Sequence, residues 1–266
     1  MNKVFKVIRC QSTGIFKAVP EFAKSQGKGK GLTKKALAIS LISAMGLTAA
    51  QAGDVLSGTD NAATGDQAVV SGGSNNEATK SNTTVSGGEL NKAISIGATV
   101  SGGAGNTAGT GIATDSDLIG DYATVAGGQG NSAIRAGSVV SGGFNNTALS
   151  AISFIGGGQD NNAIGPGSVI VGGRGNTAGY TFETDIGTIR AGSYSFVGGG
   201  FNNKAVGNDS VVTAGRDNTA DGTAAFVGGG AGNTADTEGV VVGGLRNEAG
   251  RWSFVGGGRD NTASFG

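Results

Sequence analysis

The sequence predicts an all-β chain wound as a β-solenoid, or β-roll, with one coil per repeat. Three observations predict it. First, one phrase recurs, in its clearest form Ser138-Val139-Val140-Ser141-Gly142-Gly143-Phe144-Asn145-Asn146-Thr147-Ala148. Counted by its Asn, it occurs thirteen times: Asn61, Asn76, Asn91, Asn106, Asn131, Asn146, Asn161, Asn176, Asn203, Asn218, Asn233, Asn247 and Asn261. Most steps are 14 or 15 residues, with one of 25 and one of 27. Second, three columns scarcely vary. Val or Ile stands six residues before the Asn, Gly three before it, and Ala two after it. Third, a Gly in every period disfavours helix by about 1 kcal/mol against Ala, whereas two short strands and two tight turns fill fifteen residues. A fixed short period means that each copy buries its face only by stacking on its neighbours.

Each column has a physical reading. One that accepts only Val or Ile is a narrow buried slot. A Gly column is a backbone with φ > 0 or a very close approach. The Asn column suits a left-handed turn, or a hydrogen-bonded ladder along the axis; thirteen identical copies are more than a ligand site needs. Thirteen coils at about 4.8 Å each give a rod roughly 60 Å long.

The first 52 residues are of another kind. They hold nine of the 19 basic residues and one acid, Glu21. Lys34 and Lys35 lead into the apolar run Ala36 to Ala50, and Ala50-Gln51-Ala52 fits a small-residue cleavage site before Gly53. Basic region, apolar region and A-x-A ending make a secretory signal peptide, cleaved after Ala52. The alternative is a transmembrane anchor, for which fifteen residues is short. The stretch from Met1 to Ser25 lengthens this signal and resembles the extended signal peptide region of type V secretion systems in Gram-negative bacteria. That resemblance implies an export route and leaves the mature fold open.

Cleavage removes Cys10, so the mature part has no disulfide framework. Removing nine bases and one acid from the 19 of each leaves 10 against 18, a net charge of −8. A negative, His-free rod argues against nucleic-acid binding and fits a soluble extracellular surface. With no His, no mature Cys and no recurring acid pair, no constellation for general acid–base or metal chemistry stands out; neither an enzyme nor a cofactor is expected.

Two interruptions, Gly109 to Tyr122 and Gly179 to Tyr194, fall after the fourth and eighth coils. Each carries an acidic-apolar-glycine element, starting at Asp117 or Asp185, and ends on Tyr122 or Tyr194. Such insertions become protruding loops on one edge and are candidate ligand loops; the alternative is neutral decoration or an added local β-pair. Asp115, Asp117 and Asp121 lack the Gly-anchored frame of a Ca²⁺ loop.

The residues flanking the Val/Ile column point to the opposite face of the strand. From the sixth coil the residue before it runs Val139, Phe154, Val169, Phe196, Val211, Phe226, Val240, Phe254. Wherever that residue is Phe, the residue two further on is Gly: Gly156, Gly198, Gly228 and Gly256. Volume matching of this kind belongs to a packed surface, which predicts a subunit interface on this face. The alternative is an exposed aromatic stripe used for adhesion.

Taken together, the pattern resembles the head of a YadA-like trimeric autotransporter adhesin. Phrases such as Ser168-Val169-Ile170-Val171-Gly172-Gly173 look like the family's Gly-Gly-x-x-Asn-x-Ala variant. The resemblance implies a left-handed parallel β-roll, association as a homotrimer, and a surface adhesin that attaches to host extracellular matrix or cell-surface molecules and autoaggregates. It also implies a neck, stalk and membrane barrel; none is recognisable before Gly266, so a fragment or a truncated gene product is expected, and the alternative to an adhesin is a truncated structural head without adhesive activity. Joined to stalk and anchor, the head is expected at the surface of a Gram-negative cell; expressed alone, in the periplasm. A filamentous exoprotein of the two-partner type would share the signal but uses longer coils. A Ca²⁺-binding β-roll of the RTX kind needs a nine-residue Gly/Asp phrase that is absent.

Overall fold

In the computed structural model the described residues are 5–9, 16–20, 53–110, 121–184 and 187–264. The chain divides into two units, Met1–Ala49 and Ala50–Gly266. In the first, Phe5–Arg9 pairs antiparallel with Phe16–Pro20, Phe5 opposite Pro20. The apolar run Ala36 to Ala50 and the cleavage residue Ala52 lie outside the described residues.

The second unit is a parallel β-solenoid of thirteen coils, and its described residues contain no helix. Every coil contributes two two-residue strands, and like strands stack into two thirteen-stranded parallel sheets. In the sixth coil the strands are Val139–Val140 and Thr147–Ala148. A row of single bridges through Phe144 and its equivalents forms a third ladder between them. Register is kept across both insertions: Val125 pairs with Val100, and Val197 with Ile170.

The strands are this short because the interior is one side chain deep. Each strand directs its second residue inward, Val or Ile from the first and Ala from the second. From the second to the twelfth coil these are fully buried. Pairing a branched residue with Ala across the coil keeps the two sheets close. The Ser, Ala or Thr before the first strand completes the core, as with Ser138 and Ala98. At Thr83, Ser138, Ser153, Ser210 and Ser253 the hydroxyl donates to the preceding turn, as Ser138 Oγ does to Arg135 O at 2.6 Å, whereas the buried Oγ of Ser168 and of Ser195 has no partner.

The Asn column is the ladder. Asn146 donates its backbone N–H to Asn131 Oδ1 (3.0 Å), and its own Oδ1 accepts from the N–H of Asn161 (3.0 Å). Its Nδ2 donates to Gly142 O of the same coil (3.1 Å) and Gly158 O of the next (2.9 Å). Asn76 through Asn247 are all buried at 0–1 % exposure, with their hydrogen-bonding groups occupied in this way. This is how polar side chains lie inside so thin a core without a desolvation penalty.

The left-handed turn belongs to the residue just before the ladder Asn. There φ is 52–67° in all thirteen coils, whether the residue is Gly130, Asn145 or Arg246. The invariant Gly two residues earlier has φ of 85–97° throughout, and in the first twelve coils a Cβ there would run into the carbonyl of the next coil's Gly. Both explanations of that column therefore hold at once.

Candidate interaction surface

A coil has four outward aspects: the outer sides of its two strands, and its two turns. On the first strand's outer side Val139, Val169, Phe196, Val211, Phe226 and Val240 are half-buried, while Phe154 and Phe254 are exposed at 36 % and 66 %. The apolar stripe thus exists, and among the described residues it stays half-buried to exposed along its whole length. The first five coils place Asp54, Val69, Thr84, Thr99 and Thr124 at the same position, so the stripe begins at the sixth.

The Phe–Gly matching has a local cause. Each ring lies back along its own strand, with Cε1 3.3–3.4 Å from where a Cβ would stand on Gly156, Gly198, Gly228 or Gly256. At Gly156 the carbonyl of Val171 in the next coil closes the same space. The volume match is made within the chain. The stripe's exposure, and not the match, is what points to a partner.

The second strand's outer side is polar: Thr147, Asn162, Thr177, Lys204, Thr219, Thr234, Glu248 and Thr262. The turn before the ladder Asn carries charges that pair between coils. Arg246 donates through Nε and Nη2 to the two carboxylate oxygens of Asp260 (2.7 and 2.9 Å). That bidentate bond, with the charge of Arg246 and of Arg259 beside it, holds the Asp260 carboxyl below the usual carboxylate range.

The opposite turn carries both insertions. They leave at Gly109 and Gly179, which occupy the same place in the coil. From Gly179 the second insertion runs straight into a hairpin: Tyr180–Thr184 pairs antiparallel with Gly187–Ala191, Tyr180 opposite Ala191. The added local β-pair is therefore found in the second insertion. Its neck is tight, since a Cβ on Gly192 would lie 2.5 Å from Gly179 Cα. Asp117 and Asp185 lie outside the described residues. Asp121 is buried at the foot of the first insertion, at 8 % exposure.

Tyr122 and Tyr194 do not sit on the loops. They stand on the resumed coil path, left-handed at φ 58° and 56°, and 66 % and 71 % exposed. Each donates its N–H back to the preceding coil, to Ile96 O (2.8 Å) and Pro166 O (2.9 Å). Each ring covers a Gly of that coil, Gly97 or Gly167, where a Cβ would meet Tyr Cδ1 at 2.6–2.7 Å. The sequence reading missed that Ile152 and Trp252 occupy this position too, also left-handed and exposed. The signal was available: counted back from the ladder Asn, all four stand nine residues before it.

Among the described residues no three His, Cys, Asp or Glu side chains gather as a metal site. Residues 1–51 match the family model described as the Extended Signal Peptide of Type V secretion system. No curated protein matches the sequence. The N-terminal segment is thus similar to a type V secretion address, which supports export toward the cell surface, and the parallel solenoid behind it fits the passenger of an autotransporter-type adhesin.

Proposed function

We propose that the solenoid is the adhesive head of a YadA-like trimeric autotransporter: a left-handed roll, three copies of which pack through the Val139–Phe254 stripe, and which is not an enzyme. One observation carries this reading: an uncovered apolar stripe on one strand face of a solenoid that follows a type V address. One coil orders about fifteen residues while burying little more than a Val and an Ala, so covering a second apolar face adds stability where the single chain has least of it. Like copies supply that cover at matching 4.8 Å spacing, because each presents the same period. The head attaches to host matrix or cell-surface molecules and to heads on neighbouring cells. Its turn edge, with Tyr122, Tyr194 and the two insertions, faces outward for that purpose. Nucleic acid is not a partner, given the charge of −8.

Sedimentation of the purified chain tests the assembly, with three times the monomer mass expected. Grafting the head onto a stalk and barrel of the same family tests the function. Cells carrying the graft should bind matrix-coated surfaces and lose that binding when protease is added outside. A monomer by sedimentation, or a surface-displayed head that binds neither matrix nor cells, would overturn the proposal.

A further inference from the structure

The described solenoid contains three Asn-x-Ser/Thr triplets, the acceptor pattern for N-linked sugar. They are Asn82-Thr83-Thr84, Asn145-Asn146-Thr147 and Asn208-Asp209-Ser210. Their Asn residues are all exposed and all lie on turns; Asn82 and Asn145 are left-handed, at φ 59° and 60°. None is a ladder Asn. The reason is structural: the residue two beyond each ladder Asn is the inward Ala, and a hydroxyl there would be buried in the narrowest part of the core. The column that builds the core thereby removes the acceptor pattern from every Asn whose modification would break the fold. In the triplets that remain the Asn lies on a turn, while Thr84 and Thr147 are outward strand residues and Ser210 is buried beside Val211.

We propose that Asn82, Asn145 and Asn208 are acceptors for N-linked sugar, added while the chain is still unfolded. The order follows from burial. In each triplet one residue is locked in the folded coil: Thr83 donates to Lys80 O (2.6 Å), Asn146 is a ladder residue, and Ser210 donates to Gly207 O (2.7 Å). A transferase that must hold all three residues in its own groove can read them only before the coil closes. The co-substrate is a nucleotide-activated sugar. The Asn Nδ2 bonds to the anomeric carbon, the bond from that carbon to the nucleotide diphosphate breaks, and the amide loses one proton to a base of the transferase. Once folded, the three side chains have room for the sugar. Asn208 keeps only its Oδ1 engaged, accepting from Ser193 N–H at 2.9 Å, and Asn145 Nδ2 makes one long exposed bond of 3.3 Å to Asp160.

Peptide mass mapping of the chain secreted by its own host is the first test. Sugar mass is expected on the peptides holding Asn82, Asn145 and Asn208 and on no ladder Asn; three bare triplets would overturn the proposal. The second test gives the full chain, urea-unfolded or folded, to an Asn-x-Ser/Thr transferase with UDP-glucose. Modification of the unfolded chain at least tenfold above the folded one is expected, and equal modification would overturn the order. Thr147→Ala should abolish sugar at Asn145 only, and Thr147→Ser should restore it. Because Thr147 points outward from its strand, circular dichroism should confirm that both variants keep the fold.

Discussion

The two strands of a coil are geometric equals with unequal outer faces. Both bury their second residue completely, and both turn their first residue outward into the same parallel stacking. Yet in the eleventh coil the outward residues are Phe226 and Thr234. From the sixth coil on, one face is Val or Phe throughout and the other is Thr, Asn, Lys or Glu. Nothing in the coil's backbone requires this difference. The inward columns record what one chain needs in order to fold. The difference between the outward columns is what the proposed assembly accounts for.

The largest effect is expected where the two strands are equal. Asn146→Ala would strip the partners from Asn161 N–H and Gly142 O, while Gly158 O keeps the N–H of Phe144 (2.9 Å), at about 1–3 kcal/mol for each buried group left unsatisfied. The coil should open, with a loss of Tm of many degrees and faster amide exchange on both sheets. A loss confined to one sheet would show that the two are less coupled than the shared ladder implies.

The comparison itself is tested by a matched pair in one coil. Phe226→Asp should dissociate the oligomer, read by sedimentation, whereas Thr234→Asp should leave it assembled. If Phe226→Asp keeps the assembly and loses adhesion instead, the stripe is a ligand surface and not a subunit interface.

A smaller effect, opposite in sign, is expected on the turn edge. Ile152 is β-branched, 75 % exposed, and held at φ 59° because its N–H must turn back to Ala136 O. A left-handed conformation costs such a residue roughly 1–2 kcal/mol. Gly already serves at the equivalent positions Gly137 and Gly167. Ile152→Gly should raise Tm by a few degrees; a fall would mean that the side chain packs against something in the assembly.

The smallest effect concerns the opposite turn. The depressed Asp260 carboxyl contributes stability that is fully present above its unfolded pKa and is lost as pH falls through the lower folded value. The pair lies at the surface, in solvent, so the expected change is in titration more than in stability. Arg246→Met should move the Asp260 titration upward by NMR, and no movement would show that the bidentate bond does not form in solution.

Much of this was legible from spacing. The Val/Ile slot, the Gly backbone, the Asn ladder and the coil length all came from columns, because a solenoid applies one local environment thirteen times and a column displays what that environment admits. The secretory signal was legible from a charged region, an apolar region and a small-residue site in order, and its type V kind from the resemblance carried by Met1 to Ser25. Other features were not. Which Asn of a pair such as Asn145-Asn146 turns left-handed depends on where its N–H must point, back to Gln129 or into the ladder. The Phe–Gly match looked like intermolecular packing, yet Phe154 is long enough to lie over Gly156 on its own strand. Tyr122 and Tyr194 looked like loop residues because the insertions hid their register. The sequence by itself determined the repeat and its core, since those rest on local chemistry and period, and its N-terminal resemblance pointed to the route of export. Only the tertiary structure decided which face was left uncovered and which side chains share an edge, because both depend on where the chain returns after each turn.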